Sequence, residues 1–112
     1  MKRTDKIYIS GPITGIPGAI SAASFARAEQ ELRTLGFRHV INPRAMFDGT
    51  GLGYSDIMGH CLDLVRSADV VLLLPGWRRS RGVTMELGAA YALGLPVYEY
   101  DAEWCHVSVP EI

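Results

Sequence analysis

Val70-Val71-Leu72-Leu73-Leu74 is an unbroken apolar run in the second half of this 112-residue chain. A strand that is apolar at every position is covered on both faces, as strands at the centre of a parallel sheet are. Pro75-Gly76 follows the run and marks a turn that ends the strand. Three other short apolar segments are predicted strands, at residues 7–10, 37–41 and 96–100.

Amphipathic helices separate these strands. Apolar side chains recur at three- and four-residue steps over residues 21–35 and 55–66, and a third helix is predicted over residues 82–93. No element is assigned after Asp101. Strands that alternate with helices form a parallel sheet through right-handed crossovers. The sequence therefore predicts one α/β domain over residues 1–112, with a small doubly wound, flavodoxin- or Rossmann-like parallel sheet of four to five strands and helices on both faces.

Composition places the chain among small globular proteins. Hydrophobic residues make up 48% and charged residues 21%, and the formal net charge is -1. Because nucleic-acid binding requires a basic excess, no nucleic-acid polymer is expected as a partner. No run approaches the roughly 20 apolar residues of a membrane helix, and no signal-peptide apolar region follows the charged N-terminus, so we expect no membrane partner and a cytoplasmic location. The cysteines and histidines lack metal-ligand spacing, so neither a metal nor another cofactor is expected.

Three segments follow predicted strands and converge at the carboxyl edge of the sheet, where ligands bind in such folds: residues 10–15, 42–46 and 75–86. In the first, the turn with Gly11 and Gly15 lets backbone N–H groups approach an anion or a sugar closely. A plain turn is the alternative interpretation, because the segment is neither a Walker loop nor a dinucleotide fingerprint.

Glu86 lies near the start of the third predicted helix, where the helix dipole favours an ionised carboxylate. An ionised and positioned carboxylate is the group that attacks the anomeric carbon of a sugar. The alternative is a glutamate that only stabilises the start of the helix. Gly88, Ala89 and Ala90 favour the first interpretation, because a smooth helix packs closely against the sheet and directs Glu86 towards the carboxyl edge.

The loop before this helix contains an aromatic residue and three cations. Trp77 either stacks on a nucleobase or fills a gap between loops. Arg78, Arg79 and Arg81 lie next to a helix N-terminus, where a phosphate binds favourably. A solvated, positively charged edge is the competing interpretation of these arginines.

Three further residues lie in or near the second helix and the third strand and carry groups that could take part in a site. Asp69 is predicted to hydrogen-bond the backbone at the start of the strand. Asp63 is a ligand for substrate only if the second helix turns it inward. Cys61 lies on the apolar face of that helix and is predicted to belong to the core.

Together these segments resemble the nucleoside 2-deoxyribosyltransferase superfamily, and most closely its small bacterial and phage branch of unknown function (DUF4406-like), which is related to the 2'-deoxynucleoside 5'-monophosphate N-glycosidases. The resemblance covers roughly residues 6–97. It rests on YISGPITG at residues 8–15, Asn42-Pro43, ADVVLLLPGW at residues 68–77, and the pattern Ser80-x-Gly82-x-x-x-Glu86.

The resemblance implies cleavage or exchange of the N-glycosidic bond of a nucleoside or (deoxy)nucleoside 5'-monophosphate. In the family, the glutamate that matches Glu86 attacks C1', and the tyrosine that matches Tyr8 holds that carboxylate and the sugar. Ser80 resembles the serine with which the nucleotide hydrolases bind a 5'-phosphate. The resemblance also implies a homodimer or larger homo-oligomer. The substrate-binding residues expected from these segments are Ser10, Gly11, Pro12, Ile13, Asn42, Pro43, Gly76, Trp77, Ser80, Arg81 and Gly82.

The chain departs from the family pattern at two places. Pro12 and Thr14 stand where the hydrolases have serine and arginine in the first loop. Cys61 stands where relatives commonly have an acidic residue, which leaves Asp63 as the candidate catalytic acid. The alternative function is therefore a catalytically inactive nucleotide-binding or protein-interaction domain of the same fold.

Overall fold

The computed structural model describes residues 1–101 and 106–108. Within residues 1–101, no helix is both long and apolar enough to cross a lipid bilayer. The strands are β1 (Lys6–Ser10), β2 (His39–Ile41), β3 (Val70–Leu73), β4 (Val97–Asp101) and β5 (His106–Ser108). The α-helices are α1 (Gly18–Thr34), α2 (Pro43–Met46), α3 (Tyr54–Ser67) and α4 (Arg81–Ala92), and one 3₁₀ turn spans Trp77–Arg79.

The five strands form one sheet in the order β2-β1-β3-β4-β5. The first four are parallel, and β5 pairs with β4 in the antiparallel direction. The predicted α/β fold is thereby confirmed, including the central position of the apolar run, because β3 lies between β1 and β4. The fifth strand lies in the tail to which sequence reasoning assigned no element.

Predictions on either side of the second strand need correction, and hydrogen bonds give the reason in each case. The second strand begins at His39 rather than at Phe37, because the Phe37 N–H donates to Leu32 O at 3.0 Å and closes the end of α1. This closure includes Gly36, whose φ of 98° is left-handed. Asn42 was predicted only to end the second strand. In the structure it also caps α2, because its side-chain oxygen accepts a hydrogen bond from Ala45 N.

Side chains of β1 alternate between two apolar layers. Ile7 and Ile9 pack with Phe25 in the layer under α1. Tyr8 packs with Cys61 and other residues in the layer under α3 and α4. Since successive side chains of a strand point to opposite faces, Ser10 shares the face of Tyr8. Helices therefore cover both faces of the sheet, and this alternation brings the two hydroxyl groups of β1 towards α4.

Candidate active site

A cavity of about 790 Å³ lies beyond the carboxyl ends of β1 and β3. The chain leaves β1 for β2 on one side and leaves β3 for β4 on the other, so these two strands flank the switch point in strand order. The predicted site residues that line the cavity are Tyr8, Gly11, Ile13, Pro43, Ser80, Arg81, Gly82 and Glu86.

Glu86 is the central polar group of this cavity, and its side chain is held by β1. The residue is only 5% exposed. Ser10 Oγ donates a hydrogen bond to Glu86 Oε1 at 2.8 Å, and the Tyr8 hydroxyl donates to Oε2. The two carboxylate oxygens therefore each have their own donor, which fixes the orientation of the group.

The helix dipole has less influence on Glu86 than the sequence suggested. Ser80 caps α4 by accepting from Val83 N at 3.2 Å, so Arg81 is the first helical residue and Glu86 lies in the second turn. The dipole acts mainly within the first turn of a helix. The hydrogen bonds from Tyr8 and Ser10, rather than the dipole, are the main counterweight to burial.

Burial raises the pKa of Glu86 above its ordinary value, and hydrogen bonds from Tyr8, Ser10 and Cys61 oppose this rise. Burial, followed by the charge of Glu86, also raises the pKa of Tyr8, so the phenol keeps its proton and acts as the donor. Burial raises the pKa of the Cys61 thiol to about 11, so this group also keeps its proton. The carboxylate is thus surrounded by neutral proton donors.

The amino end of α4 supplies the polar wall of the cavity. Arg79, Ser80, Arg81 and Gly82 line it there. A Cβ at Gly82 would lie 3.4 Å from Met58 Sδ, so α3 packs tightly against this turn. Backbone N–H groups at a helix start, together with guanidinium groups, form an environment that binds an anion such as a phosphate.

Two predicted substrate-binding residues have structural roles instead. Asn42 is buried, accepts from Ala45 N at 3.1 Å and donates to Glu29 Oε1 at 3.0 Å, so its side chain is occupied. Trp77 is buried, and its indole N–H donates to Glu99 Oε1 at 3.1 Å. Neither lines the cavity, and Trp77 therefore fills a gap between loops rather than offering a face to a base.

The other predicted residues outside the cavity lining lie close to it. Gly76 has a φ of 84° and precedes the 3₁₀ turn, and a Cβ there would lie 3.5 Å from Pro12 Cγ. The two loops therefore meet at Gly76 and Pro12. Ser10 is fully buried and acts through its hydrogen bond to Glu86.

The structure does not bring Asp63, the expected acid, into the cavity. Asp63 is exposed, whereas Cys61 is buried and lines the cavity. Two residues along an α-helix turn about 200°, so the two side chains leave α3 in nearly opposite directions. Asp69, in contrast, accepts from Lys6 N at 2.8 Å, as predicted for a residue at a strand start.

Sequence reasoning missed most of the apolar lining and one cation, Arg44, whereas Arg79 belongs to the arginine cluster proposed above for a phosphate. The apolar face of α3 was assigned to the core, but its first turns face the cavity. That face could have been recognised, because α3 starts at the carboxyl edge of the sheet. The lining residues not predicted as site residues are Thr14, Phe25, Arg44, Phe47, Tyr54, Ile57, Met58, Cys61, Arg79 and Met85.

The described residues also bear on metal binding and on the charge of the cavity. No group of three His, Cys, Asp or Glu side chains in this part of the chain is placed to hold a metal ion. Glu86 is the one carboxylate among the described lining residues, which include three arginines. The cavity is therefore suited to an anionic organic ligand.

A solved structure and a family model are similar to this chain. The 2-desoxiribosyltransferase from Leishmania mexicana has a similar structure, with a TM-score of 0.58 and 26% sequence identity over 86% of this chain. The matched region spans 63% of that protein's length. No curated protein matches the chain. The family model for a domain of unknown function (DUF4406) matches residues 5–99. The chain therefore belongs to the DUF4406 family, within the nucleoside 2-deoxyribosyltransferase-like superfamily.

Proposed function

We propose that the protein cleaves or exchanges the N-glycosidic bond of a nucleoside 5'-monophosphate, or of the nucleoside itself, with Glu86 as the nucleophile. One observation carries the proposal: a buried carboxylate is oriented in the cavity by hydrogen bonds from Tyr8 and Ser10. The structural likeness to a 2-desoxiribosyltransferase supports the same class of reaction.

The proposed reaction has two steps. A Glu86 carboxylate oxygen forms a bond to C1' while the C1'–N bond breaks, and the bonding electron pair goes to the base nitrogen. A water molecule, or the nitrogen of a second base, then attacks C1' and releases the carboxylate. Splitting one displacement into two through a covalent ester lowers the barrier to each.

A 5'-phosphate is the anionic group that the polar wall of the cavity fits best. Ser80, Arg81 and Gly82 are at the start of α4, and Arg79 lies immediately before it. The Ser80 hydroxyl oxygen accepts from Val83 N, so its proton remains available to donate to a phosphate oxygen. A free nucleoside would leave these donors and cations without a partner.

One observation favours the alternative of a nucleotide-binding domain without turnover. Glycoside hydrolysis ordinarily uses two carboxyl groups, and Asp63 lies outside the cavity. Under this alternative, wild type and Glu86→Gln bind a nucleotide with the same affinity, and neither of them releases a base.

Assembly and location are further parts of the proposal. We propose a homodimer or larger homo-oligomer in the cytoplasm. Exposed apolar residues near the cavity support assembly, because Ile13, Tyr54 and Met85 are 41%, 55% and 42% exposed. A monomer by light scattering at micromolar concentration contradicts the first point, and fractionation of cells that express the tagged chain tests the second.

The deciding experiment measures free base by chromatography after incubation with nucleosides and their 5'-monophosphates. Wild type is compared with Glu86→Gln, which keeps the size of the side chain. We expect base release that requires Glu86 and is faster with the 5'-phosphate. Full activity in a folded Glu86→Gln protein would contradict the mechanism, and no release from any substrate would leave the binding alternative.

A further inference from the structure

The cavity has cationic groups from the two sides of β1, because Arg44 follows β2 whereas Arg79 and Arg81 follow β3. Arg79 and Arg81 are at the start of α4, and the first turn of α3 lies against this end, since a Cβ at Gly82 would be 3.8 Å from the Tyr54 hydroxyl. Arg44 lines the cavity from α2 and contacts the start of α1, since a Cβ at Gly18 would be 3.6 Å from its Nη2. A single phosphate bound at the start of α4 therefore does not account for the presence of Arg44 in the cavity lining.

Partners within the protein leave the hydrogen-bond donors of the Arg44 guanidinium only weakly paired. Its Nη1 donates to Asp48 Oδ1 at 3.3 Å and its Nη2 donates to Gly18 O at 3.4 Å, both long distances for such bonds. The Asp48 side chain is 73% exposed, so the ion pair is weak. Arg44 Nε is buried and has no hydrogen-bond partner among the described residues. Buried donors are nearly always paired, so the protein leaves this guanidinium incompletely hydrogen-bonded.

The surroundings of Arg44 suit a nucleobase. Pro43 precedes it in sequence, Phe47 lies three residues later at the end of α2, and both line the cavity together with Phe25 of α1. Flat apolar side chains bind the faces of a base, and guanidinium groups donate to base oxygens and ring nitrogens. If the 5'-phosphate lies at the start of α4 and C1' lies at Glu86, this end of the cavity remains for the base.

We propose that Arg44 stabilises the negative charge that develops on the departing base. This inference rests on the proposed function. As the C1'–N bond breaks, its electron pair passes to the base, which leaves as an anion and afterwards takes a proton from water. Glu86 is the one carboxylate among the described lining residues and acts as nucleophile, so no carboxylic acid there protonates the base. The guanidinium of Arg44 compensates by electrostatic stabilisation of the departing base.

The test compares two leaving groups in Arg44→Gln. One substrate is a 5'-monophosphate that the wild type cleaves, and the other carries a base that needs less anionic stabilisation. For a purine this is the N7-methyl derivative, whose cationic base leaves as a neutral molecule, and for a pyrimidine it is the 5-fluoro derivative. The uncatalysed rate of each substrate is subtracted.

Loss of one such donor typically lowers kcat by about 100-fold, so we expect Arg44→Gln to do so on the ordinary substrate and to change kcat by less than about threefold on the N7-methyl substrate. With a pyrimidine pair, the loss should be smaller on the 5-fluoro substrate. Asp48→Asn is the matched control, because it removes the ion pair and keeps the guanidinium. It should leave both rates near those of wild type.

The outcomes separate this inference from the proposed function. Equal losses on both substrates, or no loss on either, would overturn the role of Arg44 while leaving the glycosidase proposal intact. A rise in KM alone would also overturn it, because Arg44 would then only bind substrate. Failure of wild type to release a base from any substrate would overturn both. Activity of Arg44→Gln on the activated substrate shows that the variant is folded.

Discussion

Tyr8→Phe removes one hydrogen bond to Glu86 and leaves the packing almost unchanged. The Tyr8 ring is fully buried in the layer under α3 and α4, and phenylalanine retains that ring. The hydroxyl donates to Glu86 Oε2, whereas Ser10 Oγ donates to Oε1 and stays in place. The substitution therefore leaves one oxygen of a buried carboxylate without its main donor.

The expected magnitude follows from that bond. A hydrogen bond to a charged group contributes about 1.5–3 kcal/mol, which corresponds to about a 10- to 150-fold loss of kcat if the bond holds the attacking carboxylate. The hydrogen bond from Tyr8 also lowers the pKa of Glu86, so its loss raises that pKa further. The acid limb of the activity profile should then move to higher pH.

Two assays measure this effect. Base release gives kcat as a function of pH, and the ¹³C shift of the Glu86 carboxyl group gives its titration without any substrate. Ser10→Ala is the companion variant and should move the titration in the same direction. An unchanged carboxyl titration in Tyr8→Phe, with kcat within about twofold of wild type, would refute the argued magnitude.

Three other predictions concern stability and reactivity. Burial raises the pKa of Glu86 in the folded chain, so the folded state binds more protons, and the free energy of unfolding falls as pH rises from the ordinary value of 4.5 through the folded pKa. Glu86→Gln removes this loss. The free energy of unfolding of the variant, measured in urea, should therefore rise relative to that of wild type as pH increases, and a difference that stays constant with pH contradicts this. Since its pKa is about 11, Cys61 in a Cys105→Ser background should react with iodoacetamide at pH 8 at least about 100-fold more slowly than in the denatured chain, and equal rates contradict this. Trp77→Phe should cost about 1–2 kcal/mol in unfolding with KM unchanged, because it leaves Glu99 without its donor, and a raised KM at full stability would restore a base-stacking role.

The fold could be predicted because its decisive signals are local. The apolar run that contains β3 and the period of α1 and α3 each lie within about fifteen residues, and parallel topology follows from their alternation. The boundaries of helices and strands were harder to predict where a helix cap determines them. Phe37 was assigned to a strand from its apolar character, but hydrogen bonding at the end of α1 determined its place.

The site was predictable only where strand ends determine it. Glu86 and Tyr8 were identified from motifs and their hydrogen bond joins α4 to β1, but the presence of the Cys61 thiol beside them depends on the rotation of α3. A helical face that begins at a cavity and ends in a core has one apolar pattern along its whole length, so Cys61 was assigned only to the core. Arg44 belongs to the segment 42–46 predicted at the carboxyl edge, but the pattern did not single it out, because α2 forms through the cap at Asn42 and the sequence indicates only a break there.

Stability alone does not explain why opposite charges are kept apart in the cavity. Glu86 lines the cavity together with three arginines, yet no ion pair joins it to any of them among the described residues. An ion pair would lower the pKa of the carboxylate and reduce the cost of its burial. It would also neutralise the charge of both partners. Hydroxyl and thiol donors hold Glu86 in place without neutralising it, so the carboxylate stays available to attack an electrophilic carbon while the arginines stay available to an anionic substrate.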